Sequence, residues 1–220
     1  MNKNIQKVKG GRKEIEIENS EIIRVTRIYL LRHGEVENVK EKCYNGQNDV
    51  GLSPEGYKQI EAKADLLSDK PIRAIYSSDL KRCMIGASII GRRHAIMPIA
   101  KKGLREKRFG VWERLTPDEI RERFREEWDA WIYDPVDSRP ASGESYREVG
   151  VRVMKEVNEI IHRHKGEDVV IMAHGGVNRI ILCNAINTGL ENMFRIEQGF
   201  ASMNIVDYYG DVAIVKLING

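Results

Sequence analysis

Cysteine is scarce in this chain. Cys43, Cys83 and Cys183 are an odd number, far apart, with no CxxC pair, which argues against a disulfide framework and against zinc or redox spacing. Reduced thiols in a cytoplasm are the expectation. Long apolar runs are missing as well. No stretch approaches the ~20 residues needed to span a bilayer, and Met1-Asn2-Lys3-Asn4 is not followed by the hydrophobic core of a secretory leader. Nor is there a block of one charge sign: 36 Lys and Arg are interleaved with 33 Asp and Glu, for a net charge of +3. That balance argues against a nucleic-acid surface while leaving room for a locally basic pocket. No cluster of ligating side chains calls for a metal, and no internal repeat or low-complexity linker interrupts the chain.

What is present is one domain's worth of alternating elements, enough to bury a core without staples. Residues 1–24 are polar and lysine-rich and are expected to form a partly ordered extension or an added edge strand; 25–220 are expected to form the domain. From Arg27 onward strands alternate with helices, which predicts an α/β three-layer sandwich with a mostly parallel central sheet flanked by helices and a site at the strands' carboxyl ends. Ser53-Pro54 ahead of Ile60, Ala64 and Leu67 predicts a capped amphipathic helix. A capping box at Thr116-Pro117-Asp118-Glu119 predicts another, with Ile120, Phe124, Trp128 and Trp131 on one stripe and the tryptophans packing in the core. A third is expected over roughly Glu144 to His164, with His162 and His164 solvated at its end.

The chemistry is concentrated at strand ends. The apolar run Leu30-Leu31 stops at Arg32-His33-Gly34-Glu35, where a glycine admits close backbone approach and an Arg-His pair offers a phosphate clamp beside a nucleophile. Those residues alone are equally compatible with a solvated strand end. A second strand, Val169 to Ala173, ends in His174-Gly175-Gly176; a third, Ala74-Ile75-Tyr76, leads into Ser77-Ser78-Asp79-Leu80-Lys81-Arg82; and Leu104-Arg105-Glu106 precedes Phe109-Gly110-Val111-Trp112-Glu113.

These four segments, in this order, resemble the histidine phosphatase superfamily, which includes the cofactor-dependent phosphoglycerate mutases. The resemblance runs from about Arg27 to Leu217. It implies catalysis by His33 as the nucleophile that becomes phosphohistidine, by Glu106 as general acid and then base, and by Arg32, Arg82 and His174 around the phosphoryl group, with Glu113 the fallback acid. Substrate contacts are expected from Arg32, Asn38, Arg82, His174 and Gly175, with neither metal nor cofactor. The family commonly has asparagine seven positions after the arginine; here that is Val39, with Asn38 one earlier. Arg114 stands where the family usually has glycine.

The partner implied is a small phosphomonoester, with no nucleic acid or membrane and, by analogy, a possible homodimer. The segment after Glu106 lacks the mutases' RxYGxLxG pattern, which favours hydrolysis. The Phe109-to-Glu113 element and Phe194-Arg195-Ile196-Glu197-Gln198-Gly199 look most like α-ribazole phosphatases. A mutase and a non-catalytic phospho-ligand-binding protein remain the alternatives.

Overall fold

A computed structural model describes residues 14–17 and 21–220, so most of the expected extension lies outside the described residues. Two of its segments, Glu14–Ile17 (β1) and Glu21–Arg24 (β2), pair antiparallel in a sheet of their own. The chain continues through Thr26–Arg32 (β3), Pro54–Leu67 (α1), Ile72–Ser77 (β4), Lys81–His94 (α2) and Ile99–Ala100 (β5). Then come Pro117–Arg123 (α3), Arg125–Tyr133 (α4), Tyr146–Arg163 (α5), Asp168–Ala173 (β6), Gly175–Ala185 (α6), Met203–Tyr209 (β7) and Val212–Leu217 (β8).

Six strands form the central sheet in the order β5-β4-β6-β3-β7-β8. The first four run parallel, and β7 and β8 add an antiparallel edge. β6 is buried along its whole length, which is why it reads as a continuous apolar run instead of an alternation. In β3 the period of two assigns sides: Ile28 and Leu30 face α5 and α6, while Tyr29 and Leu31 face α1 and α2. Each such fully buried aliphatic side chain contributes about 1.5–3 kcal/mol. The α/β/α sandwich expected from the sequence is therefore the fold.

The capped helices form where expected, with the Ser53 side chain accepting from Gly56 N and capping boxes at Thr116 and Ser145. Two expectations need correction. The stripe from Ile120 to Trp131 lies on two helices, because at Phe124 the backbone leaves helical angles (φ −133°, ψ 48°); the side-chain period persists across the break, so periodicity cannot report the bend. Trp128 and Trp131 pack on Phe109, Trp112 and Ile120 in a third cluster apart from the two sheet cores. His164 is not solvated. It lies within hydrogen-bond distance of the Tyr76 hydroxyl, at 2.9 Å, and the Glu167 carboxylate, at 2.7 Å, while His162 is exposed.

Candidate active site

Strand register builds the site. In the parallel β3–β6 pair Arg32 lies opposite Ala173, so the next residue of each strand, His33 and His174, emerges side by side; their ring centroids are 5.3 Å apart, edge to face. On the far side of β6, Ser77 pairs with Met172, which brings the Ser78 hydroxyl to 2.9 Å from His174 Nε2. The loop after β3 rests directly on the first turn of α1. A Cβ on Gly34 would stand 2.4 Å from the Gly56 carbonyl oxygen, and one on Gly56 would stand 2.1 Å from that of Glu35; both positions require glycine because backbone meets backbone.

A cavity of about 390 Å³ opens above these strand ends, and Arg32, His33, Asn38, Arg82, Glu106 and Gly175 all line it. Of the predicted residues, His174 and the fallback acid Glu113 are not in its wall. His174 is fully buried and packs against His33 from behind.

The protonation of His33 follows from its partner. Nδ1 lies 2.8 Å from the Gly34 carbonyl oxygen, which can only accept, so Nδ1 carries the hydrogen and Nε2 keeps a free lone pair. Burial, with the Arg82 and Arg32 cations adding to it, holds His33 well below the ordinary histidine value of 6.5. The ring is therefore neutral and nucleophilic at physiological pH. His174 is lowered likewise, by burial first and then by Arg82, His33 and Arg32.

Arg82 is held by the loop facing α2: its Nη1 donates to Asn48 O at 2.8 Å and its Nη2 to Gly46 O at 2.6 Å. Arg32 Nη1 donates to Gln198 O at 2.6 Å and its guanidinium lies over the Phe200 ring, 4.2 Å from the centroid. Its Nε is buried without a hydrogen-bond partner. Burial draws Arg32 down to about 10, with Glu106 opposing and Arg179 and Arg82 reinforcing the fall; even so it stays cationic at neutral pH. No carboxylate lies within ion-pair distance of either arginine among the described residues. Both are charges waiting on an anion.

Glu106 stands in the same wall, its carboxylate oxygens accepting from Lys107 N at 2.8 Å and Gly176 N at 3.0 Å. Glu113, the fallback acid, is engaged elsewhere, accepting from the backbone N–H groups of Gln47 and Phe109 at 3.1 and 3.3 Å. It therefore holds the loop that holds Arg82. Asn38 reaches the cavity, but its amide is paired reciprocally with that of Asn45, at 2.9 and 3.0 Å. Arg114 takes a left-handed φ of 67°, the conformation for which glycine is the usual residue. It offsets that strain by donating from Nη2 to Asn48 Oδ1 and from its N–H to Tyr44 O.

Sequence reasoning missed several wall residues: Tyr44, Asn45, Tyr146, Arg179 and Phe200. Arg179 alone carried a signal, standing four residues after Gly175 on one helix face. Arg152 was also missed. From α5 it donates to the carbonyls of Gly103, Arg105 and Glu106 at 2.9, 2.7 and 3.0 Å while paired with Glu144, and so fixes the loop carrying Glu106. Among the described residues no group of three or more His, Cys, Asp or Glu side chains is placed to hold a metal ion, and no helix is long and apolar enough to cross a membrane.

The family model of the histidine phosphatase superfamily (branch 1) matches residues 28–220. A bifunctional protein of Mycobacterium tuberculosis is 33% identical over 196 residues, 88% of this chain and 54% of that protein, so the chain spans about half the length of that relative. Phosphoserine phosphatase 1 of Hydrogenobacter thermophilus is 28% identical over 182 residues, 83% of this chain and 86% of that one. The adenosylcobalamin/alpha-ribazole phosphatase of Salmonella typhimurium is 25% identical over 195 residues, 88% and 96% of the two chains. Among solved structures, the mycobacterial glucosyl-3-phosphoglycerate phosphatase superposes with a TM-score of 0.82 at 26% identity, covering 90% of this chain and 100% of that one.

Proposed function

This chain belongs to the histidine phosphatase superfamily, and from that premise we propose that it hydrolyses a small phosphorylated metabolite through a phosphohistidine at His33. One observation carries the reading: the His33 Nδ1–H is engaged by Gly34 O, which leaves Nε2 as a lone pair beside two unpaired arginines in a cavity that Glu106 also lines.

In the first step Nε2 attacks phosphorus, the ester P–O bond breaks, and the leaving oxygen takes the proton held by Glu106. Arg32 and Arg82 stay charged throughout and neutralise the equatorial oxygens, the main requirement of phosphoryl transfer. His174, packed behind the nucleophile with its Nε2 at the Ser78 hydroxyl, is assigned to orient it, while Gly175 offers its backbone N–H at the start of α6. In the second step Glu106 takes a proton from water, the water oxygen attacks phosphorus, and the P–N bond breaks to restore His33. No step calls for a metal.

The likeness to α-ribazole phosphatases rests partly on residues 194–199, which in the structure act on the site through the carbonyls of Ile196, on Arg179, and Gln198, on Arg32, and through the Phe194 ring beside Arg179. Such contacts position arginines and read no leaving group. α-Ribazole 5′-phosphate therefore belongs in a substrate panel with 3-phosphoglycerate, sugar phosphates, nucleotides and an aryl phosphate, assayed for phosphate release without metal. The wild-type protein is expected to release phosphate and to trap an acid-labile phosphoprotein on quenching, and His33→Ala to do neither. Unchanged turnover in His33→Ala would overturn the mechanism; transfer to a second substrate's hydroxyl instead of water would make the protein a mutase.

A further inference from the structure

The charge lining the cavity exceeds what a phosphate group can neutralise. Four cationic side chains line it, Arg32, Lys42, Arg82 and Arg179, against one carboxylate, Glu106. None of the four has an ion-pair partner among the described residues. A phosphomonoester brings at most two negative charges at neutral pH. In the first chemical step Glu106 must hold a proton, so two cations stay uncompensated, in a partly enclosed site where unpaired charge is costly.

Geometry separates the four. Arg32 and Arg82 flank the nucleophile and serve the phosphoryl group. Lys42 is exposed at the rim, where water compensates it. Arg179 is different: it sits four residues into α6 from Gly175, on the face turned to the cavity, with Nη1 3.4 Å from the position a Cβ on Gly175 would take. Arg32 Nε lies 3.6 Å from that same point, so the two guanidinium groups flank one helix start. Arg179 is held at its neck, where Nε donates to Ile196 O at 2.8 Å, and the Phe194 ring lies beside it at 5.8 Å. Its Nη groups make no hydrogen bond among the described residues. A guanidinium fixed at Nε with its outer nitrogens free presents a fork, the shape that matches a carboxylate.

We propose that the substrate is a phosphorylated carboxylic acid, with the carboxylate on the leaving-group side, and that Arg179 is the residue that selects it. This rests on the hydrolase reading above. A leaving group without charge, such as a nucleoside, leaves Arg179 unpaired; a carboxylate occupies its fork and lowers the excess charge.

The test is kcat and KM for 3-phosphoglycerate against glycerol 3-phosphate, which share a carbon chain and differ by the carboxylate, with α-ribazole 5′-phosphate as a neutral nucleoside arm. The wild-type protein is expected to favour 3-phosphoglycerate by about 10- to 100-fold in kcat/KM, the usual worth of a hydrogen-bonded charge. Arg179→Met, shown folded by its thermal melt, is expected to bring that ratio towards one, and Arg179→Lys to retain part of it. Wild-type preference for glycerol 3-phosphate or α-ribazole 5′-phosphate, with turnover still dependent on His33, overturns the inference and leaves the hydrolase reading intact. A wild-type preference that survives in Arg179→Met keeps the substrate class and removes Arg179 as its reader. If no member of the panel is hydrolysed, both proposals fall.

Discussion

Glu106 is held by two backbone N–H groups, those of Lys107 and Gly176, so main chain fixes the position of the proposed acid. Glu106→Gln keeps the size of the group and removes its transferable proton. The variant is expected to lose about 10²- to 10⁴-fold on alkyl phosphates and much less on aryl phosphates, whose leaving groups depart without help; equal losses on both would place the acid elsewhere. His33, Arg32 and Arg82 were legible in the sequence because each closes or follows an apolar strand. Lys107 was not. Its charge run reads as a solvated face, yet the side chain is wholly buried, with Nζ 4.5 Å from the centre of the Tyr146 ring. Asn38 was legible as a polar residue at about the right spacing, whereas its pairing with Asn45 depended on how the loop folds back.

Among the elements, α5 both lines the site, with Tyr146 at its start, and braces it from outside. Arg152 ties three carbonyls of the loop that bears Glu106 and is itself paired with Glu144, and Glu144 accepts from Arg108 N. Arg152→Met is expected to lower kcat by about tenfold or more, since small displacements of a catalytic group are costly, with KM little changed and the midpoint of unfolding lowered. A variant with full kcat would show that the loop holds its shape unaided. Helix boundaries were legible where a cap announces them, as at Ser53 and Thr116, because a capping side chain satisfies orphan N–H groups locally. The break at Phe124 was not, since neither proline nor glycine marks it.

For the molecule as a whole, the buried site imposes a pH dependence on stability. His33 and His174 have folded values well below 6.5, so below 6.5 the unfolded chain binds protons that the folded one refuses, and stability falls as pH drops through that window. Urea unfolding from pH 8 to pH 5 checks this; a flat profile would mean that the imidazoles titrate normally in the fold. Lys107 acts at the other end. Burial lowers it from 10.5 to about 8, so the cost of its charge is fully present below pH 8 and disappears as pH rises towards 10.5. Lys107→Met is therefore expected to be more stable than the wild type by about 1–3 kcal/mol at pH 7, with the difference shrinking above pH 8; a constant difference would assign the gain to packing.

The sequence by itself determined the strands, the capped helices and the residue types of the proposed phosphate site. Those depend on local physics: apolar period, capping geometry, and charges stranded at the ends of buried strands. Tertiary structure alone decided that His33 and His174 stand together, because the β3–β6 register is set by ladder hydrogen bonds between strands more than a hundred residues apart. It also decided that Lys107 is buried, that Glu113 serves a loop, and that Arg179 joins the cavity wall. Each of these depends on which surfaces meet when the layers close, and no periodicity along the chain carries that information.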